Sequence, residues 1–247
     1  MYNLIISAAA GIATALLITL FGFPLWAGLI PGLIVFAGVY IVLARRIAVR
    51  IQALSAAAQK ELSAPAANVR DQKVKIDKSL KILEEGLKYE KWQFLIASEI
   101  HSQLGMIKYM AKDLDGAQVH FEKANPRNYM AKAMQAALWY QKRDFDRMRS
   151  AFEAAVKSGK KEGLVWAAYA WCLQQLKDSD GALKVMARAV QQNPTDEKLK
   201  NGLTALQNDK RLKMKAWEPM WWQFGLEQPP MPQMGGGGGR RVQFVRR

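Results

Sequence analysis

Residues 1–46 read MYNLIISAAAGIATALLITLFGFPLWAGLIPGLIVFAGVYIVLARR. The first 44 positions contain no Asp, Glu, Lys or Arg, although charged residues make up 23% of the chain, and Arg45-Arg46 follow at once. Two apolar runs, Met1 to Phe23 and Leu25 to Ala44, meet at Gly22-Phe23-Pro24. At 1.5 Å rise per residue each run is about long enough to cross a hydrocarbon core of roughly 30 Å. The pattern predicts a transmembrane helical hairpin over 1–44. A secretory signal peptide fits poorly, because Met1-Tyr2-Asn3 offers no basic n-region and a second apolar run remains unexplained. A hairpin that enters the bilayer and returns without crossing stays open, since Gly28, Pro31, Gly32 and Gly38 can break the second helix.

Orientation follows from charge. Arg45, Arg46 and Arg50 flank the second run while the turn is uncharged, and short Arg/Lys-rich flanks stay on the cytoplasmic side. The expectation is a multi-pass protein of a bacterial-type inner (plasma) membrane with both termini cytoplasmic. Those three arginines form the predicted membrane interface, facing anionic headgroups. Ala8, Gly11, Ala15, Gly28 and Gly32 give the hairpin small-residue positions for close helix approach. They serve either packing of the hairpin on itself or a homo- or hetero-oligomer seam. One cysteine, Cys172, rules out an intrachain disulfide. The net charge of +15 suits anionic lipid, acidic protein surfaces or nucleic acid without choosing among them.

Residues 45–69 read as a juxtamembrane basic helix and hinge. Ile47, Ile51, Leu54, Ala58 and Leu62 form a helical stripe before the break at Ser63 to Asn68. Beyond it, Ile76, Leu80, Leu83 and Leu87 continue the helical period. A longer repeat then emerges. Ala117, Phe121 and Ala124 recur as Met148, Phe152 and Ala155, and again as Ala182, Met186 and Ala189, at steps of 31 and 34 residues. Asp115-Gly116 and Asp180-Gly181 precede two of these sets as helix starts. Each set has an upstream helix, expected from near Trp92 to Ala111, Tyr129 to Gln141 and Gly163 to Leu176.

The spacing, Leu104-Gly105 followed by Ala117, Phe121 and Ala124, and the third set with Trp166, Ala170 and Pro194, resemble the tetratricopeptide repeat family. The second set keeps Ala136, Phe152 and Ala155 but reads as degenerate and three residues short. The resemblance covers about 92–194 and implies an all-α chain. Its parts are the transmembrane hairpin, an α-solenoid of about three repeat-like helix pairs within 70–208, and a flexible basic tail. Thr195 to Asn208 reads as the capping helix such arrays need.

The same resemblance implies a groove that takes a peptide or helix of a protein partner. Carried onto this chain, its lining positions are Glu99, Ser102, Met106 and Tyr109, then Met130, Ala133, Ala137 and Tyr140, then Leu164, Ala167, Trp171 and Gln174. The lining is apolar and rich in Met and aromatics, suited to an amphipathic helix. Ser102 and Met106 stand where a carboxylate clamp would begin, which disfavours capture of a C-terminal carboxylate.

No catalytic or cofactor signature appears. His101 and His120 fall on different predicted helices, and with one Cys they form no recognisable metal set. The uniform Gly235 to Gly239 run ends in Arg240-Arg241 and reads as a flexible linker rather than a phosphate loop. No enzyme activity, cofactor or metal is expected, and Cys172 reads as a packed thiol.

Residues 209–234 crowd Trp217, Trp221, Trp222 and Phe224 behind Lys210, Arg211, Lys213 and Lys215. Such a cluster suits a membrane interface, a protein contact or a nucleic-acid stacking platform, or else it folds back over the last helix pair. Residues 235–247 are a Gly linker and basic tail. Its Arg240, Arg241, Val242, Phe244, Arg246 and Arg247 form either a linear motif or plain tail. These features predict a non-enzymatic, membrane-anchored adaptor that assembles protein partners at the cytoplasmic face. A structural subunit of a larger membrane complex is the main alternative, and a nucleic-acid tether a weaker one.

Overall fold

The structure, a computed structural model, describes residues 1–228. Among the described residues there are ten α-helices and no strand. The first, α1 (Tyr2–Leu20), turns at Gly22 into α2 (Leu25–Ser63). Gly22 takes φ +85°, a left-handed conformation that glycine adopts without strain.

The two helices touch through their small residues. A Cβ added at Gly11 would lie 2.7 Å from the Gly32 carbonyl oxygen, and one at Gly28 would lie 2.7 Å from that of Ala15. The glycine positions are thus consumed inside the hairpin, where backbone meets backbone. Outward-facing Ile12, Leu16, Leu29, Ile30, Leu33 and Ile34 stay exposed. Both helices are long and apolar enough to cross a membrane. Pro31 sits inside α2 without ending it.

At 39 residues, α2 is about 58 Å long, roughly twice the span of α1. Its second half leaves the hairpin and enters a separate apolar cluster. Ile47 and Ala58 are buried there with Leu83, Ile96, Ile100, Leu104 and Ile107, and Ile51, Leu62, Ile76, Leu80 and Leu87 pack around them. The stripe read as a juxtamembrane helix is therefore a wall of the following helical unit. The 64–68 break turns the chain within that packed unit rather than separating two bodies. Asn68 caps α3 (Val69–Glu84) by accepting from Asp71 N–H at 2.8 Å, and a 3-10 turn, Glu85–Tyr89, follows.

Six helices then pair in sequence: α4 (Ile96–Met110) with α5 (Leu114–Glu122), α6 (Tyr129–Gln141) with α7 (Phe145–Ser158), and α8 (Gly163–Gln175) with α9 (Ser179–Gln192). One local design recurs. Helices α4, α6 and α8 each end in a left-handed residue, Lys112, Arg143 and Lys177, and an aspartate follows. The Asp113 N–H donates to Lys108 O at 2.9 Å, Asp144 to Trp139 O at 2.9 Å, and Asp178 to Leu173 O at 3.0 Å. Together with the neighbouring bonds from Lys112, Arg143 and Lys177, these close Schellman turns that satisfy the last carbonyls. Each aspartate then caps the next helix through its side chain, accepting from Gly116, Arg147 and Gly181 N–H at 2.9, 3.0 and 2.9 Å.

Seven residues before each left-handed turn lies a small residue: Gly105, Ala136 and Ala170. Gly105 meets Phe121 of its partner helix, and Ala136 and Ala170 are fully buried, as are Phe152 and Met186 on the helices that pair with theirs. The same spacing appears a fourth time. Helix α10 (Glu197–Gln207) carries Gly202 and ends in left-handed Asp209, with the Lys210 N–H donating to Ala205 O at 2.9 Å. Residues read as a cap helix thus have the form of a fourth first helix.

Two expectations need correction. The helix expected from Trp92 begins only at Ile96, because Leu95 takes φ +72° and breaks the helical path. The missing three residues belong to the first pair: α5 has 9 residues against 14 in both α7 and α9. The chain after Ala124 reads Asn125-Pro126, and the residue before proline is pushed out of the helical region.

Candidate partner-binding surface

Among the described residues after Asp209 there is no further α-helix. The chain turns back across the ends of the first helices, through two 3-10 turns at Met214–Trp217 and Met220–Phe224. Leu212, Met214, Trp217, Trp221 and Phe224 are all buried in the main core. Trp221 is 1% exposed, meets Trp171 edge-on at 5.2 Å between centroids, and donates from Nε1 to Glu227 Oε2 at 2.8 Å. The aromatic cluster therefore folds back as packing, and its buried rings offer no stacking platform; Trp222 alone stays partly exposed.

This segment meets several of the positions expected to line a groove. Gln174 clasps it, donating from Nε2 to Lys210 O at 3.0 Å and accepting from Leu212 N–H at 2.9 Å. Tyr109 donates its hydroxyl to Phe224 O at 2.5 Å and accepts from Gln141 Nε2 at 2.8 Å. Burial, with the Cys172 thiol adding to it, raises the Tyr109 hydroxyl well above its ordinary value, so it stays a donor. Trp171 is buried beneath Trp221.

The remaining expected positions divide by burial. Ser102, Ala133, Ala137, Leu164 and Ala167 are buried among the helices. The Ser102 hydroxyl donates to Ser98 O at 2.8 Å and accepts from Asn125 N–H at 2.9 Å. Glu99 ties the first pair to the second, accepting from Asn125 Nδ2 and Asn128 Nδ2, both at 3.2 Å. Met106, Met130 and Tyr140 pack against the core but keep part of their surface open. A cavity of about 570 Å³ lies between Tyr109, Leu114 and Gln141 on one side and Trp222, Gly225 and Glu227 on the other. Arg45, Arg46 and Arg50 are exposed on α2, the last lying over the Tyr89 ring at 5.9 Å. The tail positions Arg240, Arg241, Val242, Phe244, Arg246 and Arg247 lie outside the described residues.

Sequence spacing gave no hint of one arrangement. His101 on α4 and His120 on α5 come together with Nδ1 atoms 3.0 Å apart, so one ring donates and the other accepts. Burial, followed by the neighbouring His101, Lys108 and Lys123 charges, lowers His120 to about 4, with Asp113 opposing; burial and Lys123 also lower His101, with Glu90 opposing. Among the described residues no group of three or more His, Cys, Asp or Glu side chains is gathered as for a metal ion. Cys172 is fully buried, and burial pushes its thiol well up, away from the reactive thiolate form.

No protein-family model matches the chain, and no curated protein matches it either.

Proposed function

We propose that this chain is a non-enzymatic, membrane-anchored scaffold of the tetratricopeptide-repeat type. In this reading α1 and the first half of α2 cross a bacterial-type inner membrane with the array on the cytoplasmic side. The array is a short solenoid that holds a protein partner, in keeping with its all-helical pairs and their repeated turns. The observation that carries the reading is the continuity of α2. One unbroken helix runs from an exposed apolar hairpin into the packed core against α3 and α4. Such a helix transmits position from a bilayer to the array without a flexible joint. Anchoring also raises the effective concentration of the array for partners at the same membrane, so modest contacts suffice.

Because Tyr109, Trp171 and Gln174 hold the chain's own 210–224 segment, the partner surface is narrower than the full expected groove. It centres on Met106, Met130 and Tyr140, whose flexible and aromatic side chains suit an apolar helix or peptide. The basic tail supplies a second contact. A structural subunit of a larger membrane complex is the second reading, favoured by the apolar cleft on the hairpin between Ile12, Leu29, Leu33 and Phe36.

The test is affinity capture of the intact chain in mild detergent, beside two variants: Met130→Glu, and a chain lacking 235–247. The scaffold reading expects a stoichiometric partner lost with Met130→Glu and retained without the tail. Partners unaffected by either change and consisting of integral membrane proteins would transfer the assignment to the structural-subunit reading.

A further inference from the structure

The start of α1 does not end in free space. Its Tyr2 N–H donates to Lys91 O at 2.9 Å and its Asn3 N–H to Trp92 O at 3.2 Å, so the 91–95 loop satisfies two open donors of the first helical turn. The Tyr2 and Trp92 rings meet edge-on at 5.6 Å between centroids. This loop is thereby fixed at the level where α1 begins. Helix α1 spans about 28 Å, close to the thickness of a hydrocarbon core. If α1 crosses, as proposed above, Lys91 and Trp92 lie at the headgroup boundary.

Two features of the loop suit that level. Phe94 is 67% exposed and Leu95 40%, two and three residues beyond the pinned Trp92 carbonyl, whereas Trp92 and Gln93 are half-buried. Leu95 is also held at φ +72°, which interrupts the helix before α4 and leaves the pair outside it. Around them, Arg45, Arg46 and Arg50 on α2 and Lys88 and Lys91 beside the 3-10 turn are all exposed. Glu85 and Glu90 are the acidic residues within the same stretches, so cations prevail.

We propose that the 91–95 loop is a third membrane contact: Phe94 and Leu95 enter the interfacial layer of an anionic bilayer while Arg45, Arg46, Lys88 and Lys91 face its headgroups. The loop is pinned to the start of the hairpin through Tyr2 and Asn3, and its charge complements acidic lipid. The contact deepens the membrane reading and rests on it. It fixes the tilt of the array over the bilayer, because the loop and α2 hold the same helical unit at two separate points.

The experiment uses the full chain with Cys172→Ala and a single nitroxide at Leu33→Cys, Phe94→Cys or Val119→Cys. Each is reconstituted into phosphatidylcholine vesicles with or without phosphatidylglycerol, and depth is read from oxygen against nickel-chelate relaxation. The expected result places Leu33 in hydrocarbon, Phe94 at the interface when phosphatidylglycerol is present, and Val119 in water. Charge reversal by Lys88→Glu with Lys91→Glu then moves the Phe94 label toward water. Leu33 in hydrocarbon with Phe94 as aqueous as Val119 overturns the proposal and leaves the hairpin standing. Equal Phe94 depth without phosphatidylglycerol overturns the anionic requirement. Leu33 in water removes the membrane reading and this contact with it.

Discussion

Replacing Trp221 with alanine removes the largest fully buried side chain of the folded-back segment. Truncating a buried Trp or Phe to Ala costs about 3–5 kcal/mol, the spread reflecting how far neighbours collapse into the space. Collapse is restricted here. Trp171 packs on one side at 5.2 Å and Phe224 on another at 5.8 Å, and both are themselves buried. The substitution also frees Glu227 from the indole N–H, but that carboxylate reaches water, so most of the loss is packing. An effect near 4 kcal/mol is a large share of the roughly 5–15 kcal/mol that holds an ordinary domain folded. Urea unfolding of the full chain in detergent, followed by far-UV circular dichroism, measures the loss; limited proteolysis locates it. The variant should be nicked first between about residues 210 and 228. A loss below about 1 kcal/mol with unchanged resistance to protease would refute the claim that this segment is part of the core.

Further outcomes follow from single positions. Lys112→Gly, Arg143→Gly and Lys177→Gly each relieve a left-handed non-glycine residue and should stabilise by about 0.5–1 kcal/mol, read in the same urea titration. Gly105→Ala sets a Cβ 2.7 Å from the Phe121 ring, inside a buried crossing, and should cost about 1–3 kcal/mol by overpacking. The histidine pair predicts a pH dependence. Both groups titrate below 6.5 in the folded chain, His120 near 4, so the unfolded chain binds protons first as pH falls. Stability is therefore full above about 6.5 and declines toward 4, and His120→Gln should flatten that slope in unfolding midpoints measured across the window.

The parts legible in the sequence were those written as long-range periodicity. Absence of charge over 1–44 marks the two long apolar helices, and the recurrence of Phe121, Phe152 and Met186 at steps of 31 and 34 residues marks the helix pairs. What escaped depended on single-residue backbone choices or on contacts distant along the chain. Leu95 at φ +72° is a conformation that leucine rarely takes, and the sequence pattern carries the helix back to near Trp92. The short first pair was misplaced because Phe121 and Phe152 align without it, while the loss falls after Ala124. The fold-back of Trp221 onto Trp171 joins residues 50 positions apart. A usable signal did exist: Gly202 and Asp209 repeat the spacing of Ala170 and Lys177, so α10 has the form of a first helix, and the buried aromatics after it fold back onto α8. The histidine contact likewise needed the α4–α5 crossing, which spacing alone does not give.

Everything in the functional account rests on α1 and α2 crossing a bilayer with the array on the inner side. Thiol labelling tests this most directly, using the full chain with Cys172→Ala and either Phe23→Cys in the turn or Asn208→Cys after α10. A membrane-impermeant maleimide is added to intact bacterial spheroplasts. The account predicts that Phe23→Cys is labelled at once and that Asn208→Cys is labelled only after the membrane is permeabilised. Labelling of Asn208→Cys in intact spheroplasts, or protection of Phe23→Cys, would contradict it.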